Sequence, residues 1–222
     1  MNYKIRGDQV HTLIKALDLY SRIFMGQYSE IEWCLRLNTR AADGRLLYEV
    51  VDENELQMAL LKVRDLAMPA LKGYGFHGSY GIWSADNDRR SVEAFDLEQV
   101  IRHSDAWFRN PEGGIGTHFD RPWIHGRFSK MRAECVGTKE DYHMLLSDIT
   151  EDQLDIILES LRVSVDLYNL EFVKMLKHFT DREDAIAAMQ EVEALYDCIA
   201  IPECFYDFSG LLKDFEKGAL DG

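Results

Sequence analysis

The spacing of apolar residues predicts helices in the first third of the chain. Over residues 10–24 they recur at intervals of three and four, the repeat of an amphipathic helix, and Asp8 stands where its N-cap would be. Residues 56–67 repeat the pattern behind Asp52, which is followed three residues later by an acid, as in a capping box. Pro69 should end this second helix.

The last third of the chain carries the same helical repeat. Thr150 followed by Gln153 forms another capping-box pattern, and apolar residues then mark about seven helical turns over residues 154–176. A further helix is predicted from residue 184 to about residue 199, with a short amphipathic tail at residues 211–215. The long helix would be the spine of the fold.

Two segments between the first helices leave the type of element open. Residues 31–37 alternate apolar and polar positions in a way that fits either a strand or helical turns. Residues 38–44 carry turn chemistry, and the apolar run at 46–51 is short enough for a strand. Gly26 interrupts the chain between the first helix and this stretch.

The middle segment, residues 72–131, differs from both ends. Residues 72–81 hold four glycines among aromatic side chains, which is typical of an irregular loop whose backbone closely approaches another group. A helix is predicted from about residue 88 to residue 107, and Asn110-Pro111 stops it. Residues 115–131 follow neither period and are predicted to form a loop with short strands.

Together these patterns predict a mainly α fold in a single domain over residues 1–222, with an α+β fold as the open alternative. Helical flanks at residues 1–71 and 138–222 would form a bundle-like scaffold around the loop-rich middle segment. No linker or low-complexity tract marks a domain boundary.

The charge balance restricts the partners. The chain has 39 acidic and 25 basic residues and a formal net charge of -14, so its mean field repels phosphates and we expect no binding to a nucleic-acid duplex. No apolar run is long enough to cross a bilayer, and the N-terminus lacks the apolar centre of a signal peptide. The sequence therefore predicts a cytoplasmic protein with no membrane contact.

Aromatic, histidine and arginine side chains are concentrated in the middle segment. Arginine forks pair with phosphate, Tyr and Trp rings stack on a base, and irregular backbone offers free N–H groups. These residues predict a pocket for a small anionic ligand such as a nucleotide, while the alternative is that the aromatics cover the core beneath loops. The candidate ligand-binding residues are Tyr80, Trp83, Arg102, His103, Trp107, His118, Arg121, Trp123, His125 and Arg127.

A metal site is the enzymatic alternative in the same segment. His118, Asp120 and His125 lie within eight residues and could hold a divalent ion with open positions for water. They lack the helical spacing of the zinc-hydrolase motif, the chain has neither a Walker-type loop nor a nucleophile elbow, and its four cysteines form no C-x-x-C pair. We therefore expect no catalytic residue and no cofactor.

Short motifs over about the first 130 residues form a further pattern. They are LDLYSR at residues 17–22, MGQ at 25–27, YGI at 80–82, QVIRH at 99–103, Trp107 and Asn110-Pro111. The combination resembles a group of small proteins from bacteriophages and mobile elements, a group without an established activity. No site residue can be carried over from it.

The resemblance implies a protein that acts by binding, because small phage accessory proteins sequester a host nucleotide signal or block a host defence or regulatory protein. It predicts a non-catalytic, phage-encoded homo-oligomer that captures a small phosphate-bearing ligand, such as a nucleotide immune signal. Two alternatives stay open. One is an inhibitor that binds a host protein through its acidic surface, and the other is the metal-dependent hydrolase.

Overall fold

Helices dominate the computed structural model, which describes residues 1–38, 52–125, 131–194 and 206–218. Eight helices and one three-stranded sheet lie within these ranges, so the prediction of a mainly α fold is confirmed. No helix in the described ranges is long and apolar enough to cross a membrane.

Some predictions fall outside the described residues. They are most of the turn at 38–44, the strand at 46–51, the last turns of the helix predicted to reach residue 199, and the candidate ligand residue Arg127.

Helix α1, Gly7–Phe24, is buried along most of its length because apolar side chains cover more than one of its faces. It begins one residue before Asp8, so the prediction of Asp8 as its N-cap is wrong. Instead, the backbone N–H of Arg6 donates to the side-chain oxygen of Gln9 at 3.3 Å. The Asp8 carboxylate pairs with the Arg6 guanidinium. Gly26, with a φ of 84°, turns the chain after α1, as predicted.

The alternating residues at 31–37 belong to a helix, α2, Ser29–Asn38, rather than to a strand. The next helix is α3, Glu53–Ala67, and α2 packs against it. Asp52 caps α3 as predicted, because its carboxylate accepts the backbone N–H of Asn54 at 2.8 Å. Pro69 then opens a single 3-10 turn, Pro69–Leu71.

Two strands of an antiparallel sheet, at residues 3–6 and 142–147, lie within the predicted helical flanks. Tyr3 stands opposite Leu146 and Ile5 opposite Met144, and all four side chains are buried. Facing residues of neighbouring strands share one side of a sheet, so these pairs form its core face. The central strand is β3, in the order β1-β3-β2. The strands are β1, Tyr3–Arg6, β2, Arg132–Gly137, and β3, Tyr142–Ser147.

The prediction of helical flanks at residues 1–71 and 138–222 is therefore wrong at residues 3–6 and 142–147, which form strands. β1 has only four residues, and two buried positions are too few to reveal a period of two. In β3 the alternation is blurred because Leu145, which points away from the buried face, is itself apolar.

Helix α4, Arg89–Arg109, agrees with the prediction at both ends. The Asp88 carboxylate accepts the backbone N–H of Arg90 at 2.7 Å, and the helix stops at Asn110. It packs against β2. The loop that follows contains turns but no strand over residues 110–125, so the short strands predicted there are absent from its described part.

The long C-terminal helix predicted at residues 154–176 is two helices, α5, Glu151–Tyr168, and α6, Phe172–Lys177. Leu170 breaks it with a φ of 61°. The N–H of Glu171 donates to the carbonyl of Asp166 at 2.8 Å, which is the capping pattern that closes a helix at a left-handed residue. The apolar period continues across the break, which is why the sequence pattern hides it.

The start of α5 has the predicted capping box. The N–H of Gln153 donates to the Thr150 hydroxyl at 3.2 Å, and the Gln153 side chain accepts the N–H of Thr150 at 3.1 Å. Helix α7, Glu183–Ala194, confirms the next prediction and packs against α3 and α6. The amphipathic tail is α8, Phe208–Glu216.

The contacts of the chain group into two compact units. Unit 1 comprises Met1–Ser21, Asp88–Arg162 and Tyr206–Gly222, and unit 2 comprises Arg22–Asn87 and Val163–Phe205. Unit 1 holds the sheet, α4, α8 and most of α1 and α5. Unit 2 holds α2, α3, α6 and α7. The single domain stays a prediction.

A buried guanidinium organises the glycine-rich loop of unit 2. Arg64 of α3 is 0% exposed and donates to the carbonyls of Tyr74, Gly75 and Gly78, each at 2.8 Å. Asp65 adds a carboxylate at 2.8 Å. A Cβ at Gly78 would lie 2.7 Å from the Cβ of Tyr74, so the loop closes around the cation only with glycine there. The predicted close approach of this loop backbone is confirmed, and its target is Arg64.

Replacement of Arg64 should destabilise the loop more than any other single substitution. Arg64→Met removes the fully buried donor that joins the loop carbonyls and Asp65, so we expect the free energy of unfolding to fall by about 3–5 kcal/mol in urea titrations. The control is Arg132→Met, at a guanidinium whose side chain is 83% exposed, and it should change stability by about 0.5 kcal/mol or less. Equal losses in both variants would contradict the role of Arg64.

The capping box of α5 gives a second test. Thr150→Ala removes the hydroxyl acceptor and should cost about 1 kcal/mol of unfolding free energy. Thr150→Ser keeps the oxygen and should stay close to the wild type in the same titration. A Ser variant as unstable as the Ala variant would show that the methyl group, rather than the cap, matters at this position.

Candidate functional site

Three of the predicted ligand residues meet where α4 faces the following loop. A carbonyl can only accept, so the Nδ1–H of His103 donates to the carbonyl of His118 at 3.0 Å. The indole N–H of Trp107 donates to the carbonyl of Phe119 at 3.0 Å, and the two rings meet edge to face at 5.6 Å. The polar atoms of His103 and Trp107 thus fasten the loop to α4.

His125 is buried against α4 rather than open to a ligand. Its backbone N–H donates to the Asp96 carboxylate at 2.9 Å, and its Nδ1 lies 3.3 Å from the same oxygen. The two side chains are 4% and 7% exposed, and the His125 ring lies against Phe95. This pairing anchors the end of the described loop.

The metal alternative has no geometric basis in the described residues. His118 and His125 make the separate contacts above, and Asp120 is exposed. No three His, Cys, Asp or Glu side chains in the described ranges converge in a way that could hold a metal ion.

The other predicted ligand residues are dispersed. The Arg102 guanidinium pairs with Glu98 at 3.2 Å. Arg121 and Trp123 are exposed on the loop. Tyr80 and Trp83 belong to unit 2, where the N–H of Tyr80 donates to the carbonyl of Met25 and Trp83 is exposed. The aromatic pocket itself stays a prediction.

A cleft of about 450 Å³ lies elsewhere in unit 1, between the first turn of α4 and one face of α5. Arg89, Arg90 and Glu93 line it from α4, and the cap at Asp88 fixes where that turn begins. The end of α1 adds Tyr20, whose pKa is raised by burial against the opposing charge of Arg90. The Tyr20 hydroxyl therefore stays protonated at neutral pH.

The α5 side of the cleft is a charged stripe. Asp152, Asp155, Glu159 and Arg162 follow one another at intervals of three and four, so they share one face of the helix. Together with α4, three guanidiniums and four carboxylates surround the same space.

The arginines of the cleft are held by loose, solvent-accessible ion pairs. Arg89 lies 3.3 Å from Asp152, with both side chains more than 60% exposed. Arg162 lies 3.2 Å from Glu216 and 3.8 Å from Glu159. Exposed pairs of this kind contribute about 1 kcal/mol or less, so a ligand anion can replace the carboxylates with little loss.

Glu93 is the least compensated of three buried carboxylates on α4. Asp96 bonds His125, and Glu98 pairs with Arg102 and accepts the Gln99 amide at 2.8 Å. The Glu93 side chain is 2% exposed, its Oε2 lies 3.8 Å from Arg89, and its buried Oε1 has no hydrogen-bond partner in the described part of the chain.

The electrostatics follow from this position. Burial raises the pKa of the Glu93 carboxyl, Arg89 opposes the shift, and Asp152 and Asp96 add to it.

Sequence reasoning missed the cleft because it selected candidate residues by type, as aromatic, histidine and arginine side chains of the middle segment. The sequence pattern that could have indicated the cleft is the spacing of its charged residues. Arg89 and Glu93 share a face of α4 just after its N-cap, and the charged residues of α5 recur at helical spacing. Which two charged faces meet depends on packing between α4 and α5, and one sequence does not contain that information.

Comparison with known proteins adds no assignment. No family model, no curated protein and no solved structure matches the chain. The resemblance to phage proteins therefore stays a prediction from the motifs.

The raised pKa of Glu93 predicts a pH-dependent stability difference. An acid whose pKa is raised in the folded state contributes stability that is fully present below its unfolded value, near 4.5, and that is lost as the pH rises through the folded pKa. Glu93→Gln is neutral at every pH, so its unfolding free energy relative to the wild type should increase between pH 4.5 and pH 7.

Urea unfolding of both proteins over this pH range makes the measurement. Glu140→Gln, at an exposed acid between β2 and β3, controls for the removal of one charge. A Glu93→Gln difference that stays constant or decreases with pH would contradict the assignment.

Proposed function

We propose that the chain is a non-catalytic binding protein that captures a small phosphate-bearing ligand, such as a nucleotide, in the cleft between α4 and α5. The observation that carries the proposal is the convergence of Arg89, Arg90 and Arg162 on one cleft in a chain whose net charge is -14. Phosphate is the group that arginine forks bind best, since two parallel N–H donors match two oxygens.

The size of the cleft and the solvent exposure of its ion pairs support this proposal. Its volume of about 450 Å³ lies within the usual range for small-molecule sites. The pairs of Arg89 with Asp152 and of Arg162 with Glu216 can exchange a carboxylate for a phosphate at little cost, because both partners of each pair are solvent-exposed. The Tyr20 hydroxyl adds a neutral donor beside Arg90.

The proposed site therefore differs from the one that the sequence predicts and lies between α4 and α5 of unit 1. Of the predicted ligand residues, His103, Trp107 and His125 make contacts within the protein that fasten a loop. For a phage-encoded chain, as the motif resemblance implies, capture without turnover is the sequestration of a nucleotide immune signal.

Thermal unfolding with a ligand panel tests the proposal. Inorganic phosphate, AMP, ADP, GMP and cyclic mono- and dinucleotides are added one at a time. A ligand at about one hundred times its Kd stabilises the native state by about 2.7 kcal/mol. For a chain of this length that is a rise in Tm of about 5 to 10 °C. The ligand recovered afterwards should be chemically intact.

Matched variants locate the site. Arg89→Gln combined with Arg162→Gln should abolish the rise in Tm, while Arg132→Gln, whose side chain is 83% exposed on β2 and outside the cleft, should preserve it. A panel that gives no rise, or a rise that survives the double substitution, would overturn the proposed site.

A further inference from the structure

The cleft surrounds its three guanidiniums with an excess of acid. Arg89, Arg90 and Arg162 stand against Glu93, Asp152, Asp155 and Glu159. A bare phosphate offers partners to the arginines and nothing to the carboxylates, and it adds negative charge to a set that is already acidic. The lining therefore suits a ligand that presents N–H donors at some distance from its phosphate.

Glu93 is the carboxylate best placed to meet such a donor. Its side chain lines the cleft and is 2% exposed, and its Oε1 has no hydrogen-bond partner among the described residues. A buried acceptor without a partner loses its hydration and gains no hydrogen bond in return, which is a cost to the folded state. A ligand N–H that reaches Oε1 would recover that cost and gain a hydrogen bond to a charged or strongly polar group.

The same helix provides an internal comparison. Asp96 and Glu98 are as deeply buried as Glu93, yet each has a cationic or amide partner within 3.3 Å. Those two carboxylates face the loop anchor at His125 and the side chains of Gln99 and Arg102 and are satisfied by the fold. Glu93 alone of these three faces the cleft, and it alone is left with an unbonded oxygen in the described structure.

We infer that Glu93 is the specificity-determining residue of the cleft and that it accepts an N–H donor of the ligand, the amino group of a base, while the arginines hold the phosphate. This inference rests on the proposed function. It narrows the ligand class from phosphate-bearing molecules to those that combine a phosphate with an amino donor.

Two nucleotides that differ by a single amino group make the test. AMP carries the 6-amino group, and purine riboside 5′-monophosphate lacks it. Calorimetric titration of the wild type should give a Kd for AMP lower by about tenfold or more, because a hydrogen bond to a buried polar acceptor is lost with the amino group. O-Phosphoethanolamine, which joins a phosphate to an amine without a base, distinguishes a nucleotide from a simpler phosphorylated amine.

Variants of Glu93 separate recognition from folding. Glu93→Met fills a similar volume without an acceptor, so it should bind the two nucleotides with equal Kd, at the level of the wild type with purine riboside monophosphate. Glu93→Gln keeps one acceptor oxygen and should retain part of the discrimination. Thermal unfolding of both variants without ligand verifies that they fold.

The outcomes divide cleanly. Equal binding of both nucleotides by the wild type, as expected if water alone satisfies Oε1, or unchanged discrimination in Glu93→Met would overturn the inference. Binding that still depends on Arg89 and Arg162 would leave the proposed function standing in either case. A wild type that binds neither nucleotide nor O-phosphoethanolamine overturns the inference, and one that also binds no other ligand of the thermal-unfolding panel overturns both.

Discussion

The burial of carboxylates along α4 is the constraint around which unit 1 is organised. The side chains of Glu93, Asp96 and Glu98 are each at most 7% exposed, and they lie within six residues of one helix. An ionised group taken out of water must recover its lost hydration from cations or donors. Each acid therefore has a different neighbour. Asp96 binds the end of the described loop at His125, Glu98 pairs with Arg102, and Glu93 lines the cleft.

Unit 2 meets the inverse problem with Arg64. There a single buried cation is surrounded by backbone carbonyls, so the loop must curl until the oxygens of Tyr74, Gly75 and Gly78 converge. In both units an ionic side chain gives an irregular segment one preferred shape. Apolar burial alone would leave such glycine-rich loops with many conformations of similar free energy.

The sequence predicts the elements whose boundaries are set by local chemistry. Asp52 and Thr150 satisfy free N–H groups at the starts of their helices, as their capping-box patterns indicate. The break at Leu170 could not be predicted, because a leucine rarely adopts a positive φ and nothing in the apolar period marks it. β1 was missed for a different reason, because a strand of four residues is too short to show an alternation of apolar and polar positions.

The candidate cleft could not be predicted from the sequence because it depends on tertiary packing. Arg89 and Asp152 are far apart in the chain, and only the packing of α4 beside α5 brings them to 3.3 Å. By contrast, His103, Trp107 and His125, which stood out in the sequence, make short contacts between α4 and the loop that follows it. The candidate cleft is lined by ordinary charged residues spaced along two helices rather than by the conspicuous residue types of the sequence.

The distribution of tryptophan has a spectroscopic consequence. All four indoles are substantially exposed, from 40% for Trp107 to 69% for Trp83, whereas the most completely buried rings of the described residues are those of Tyr20, Tyr28 and Phe172. The native protein should already emit at the long wavelength of water-exposed indole, so unfolding will shift its fluorescence maximum little. Soluble quenchers should reach the indoles in the folded state, and loss of near-ultraviolet dichroism from the buried tyrosines is the better optical measure of the folded core.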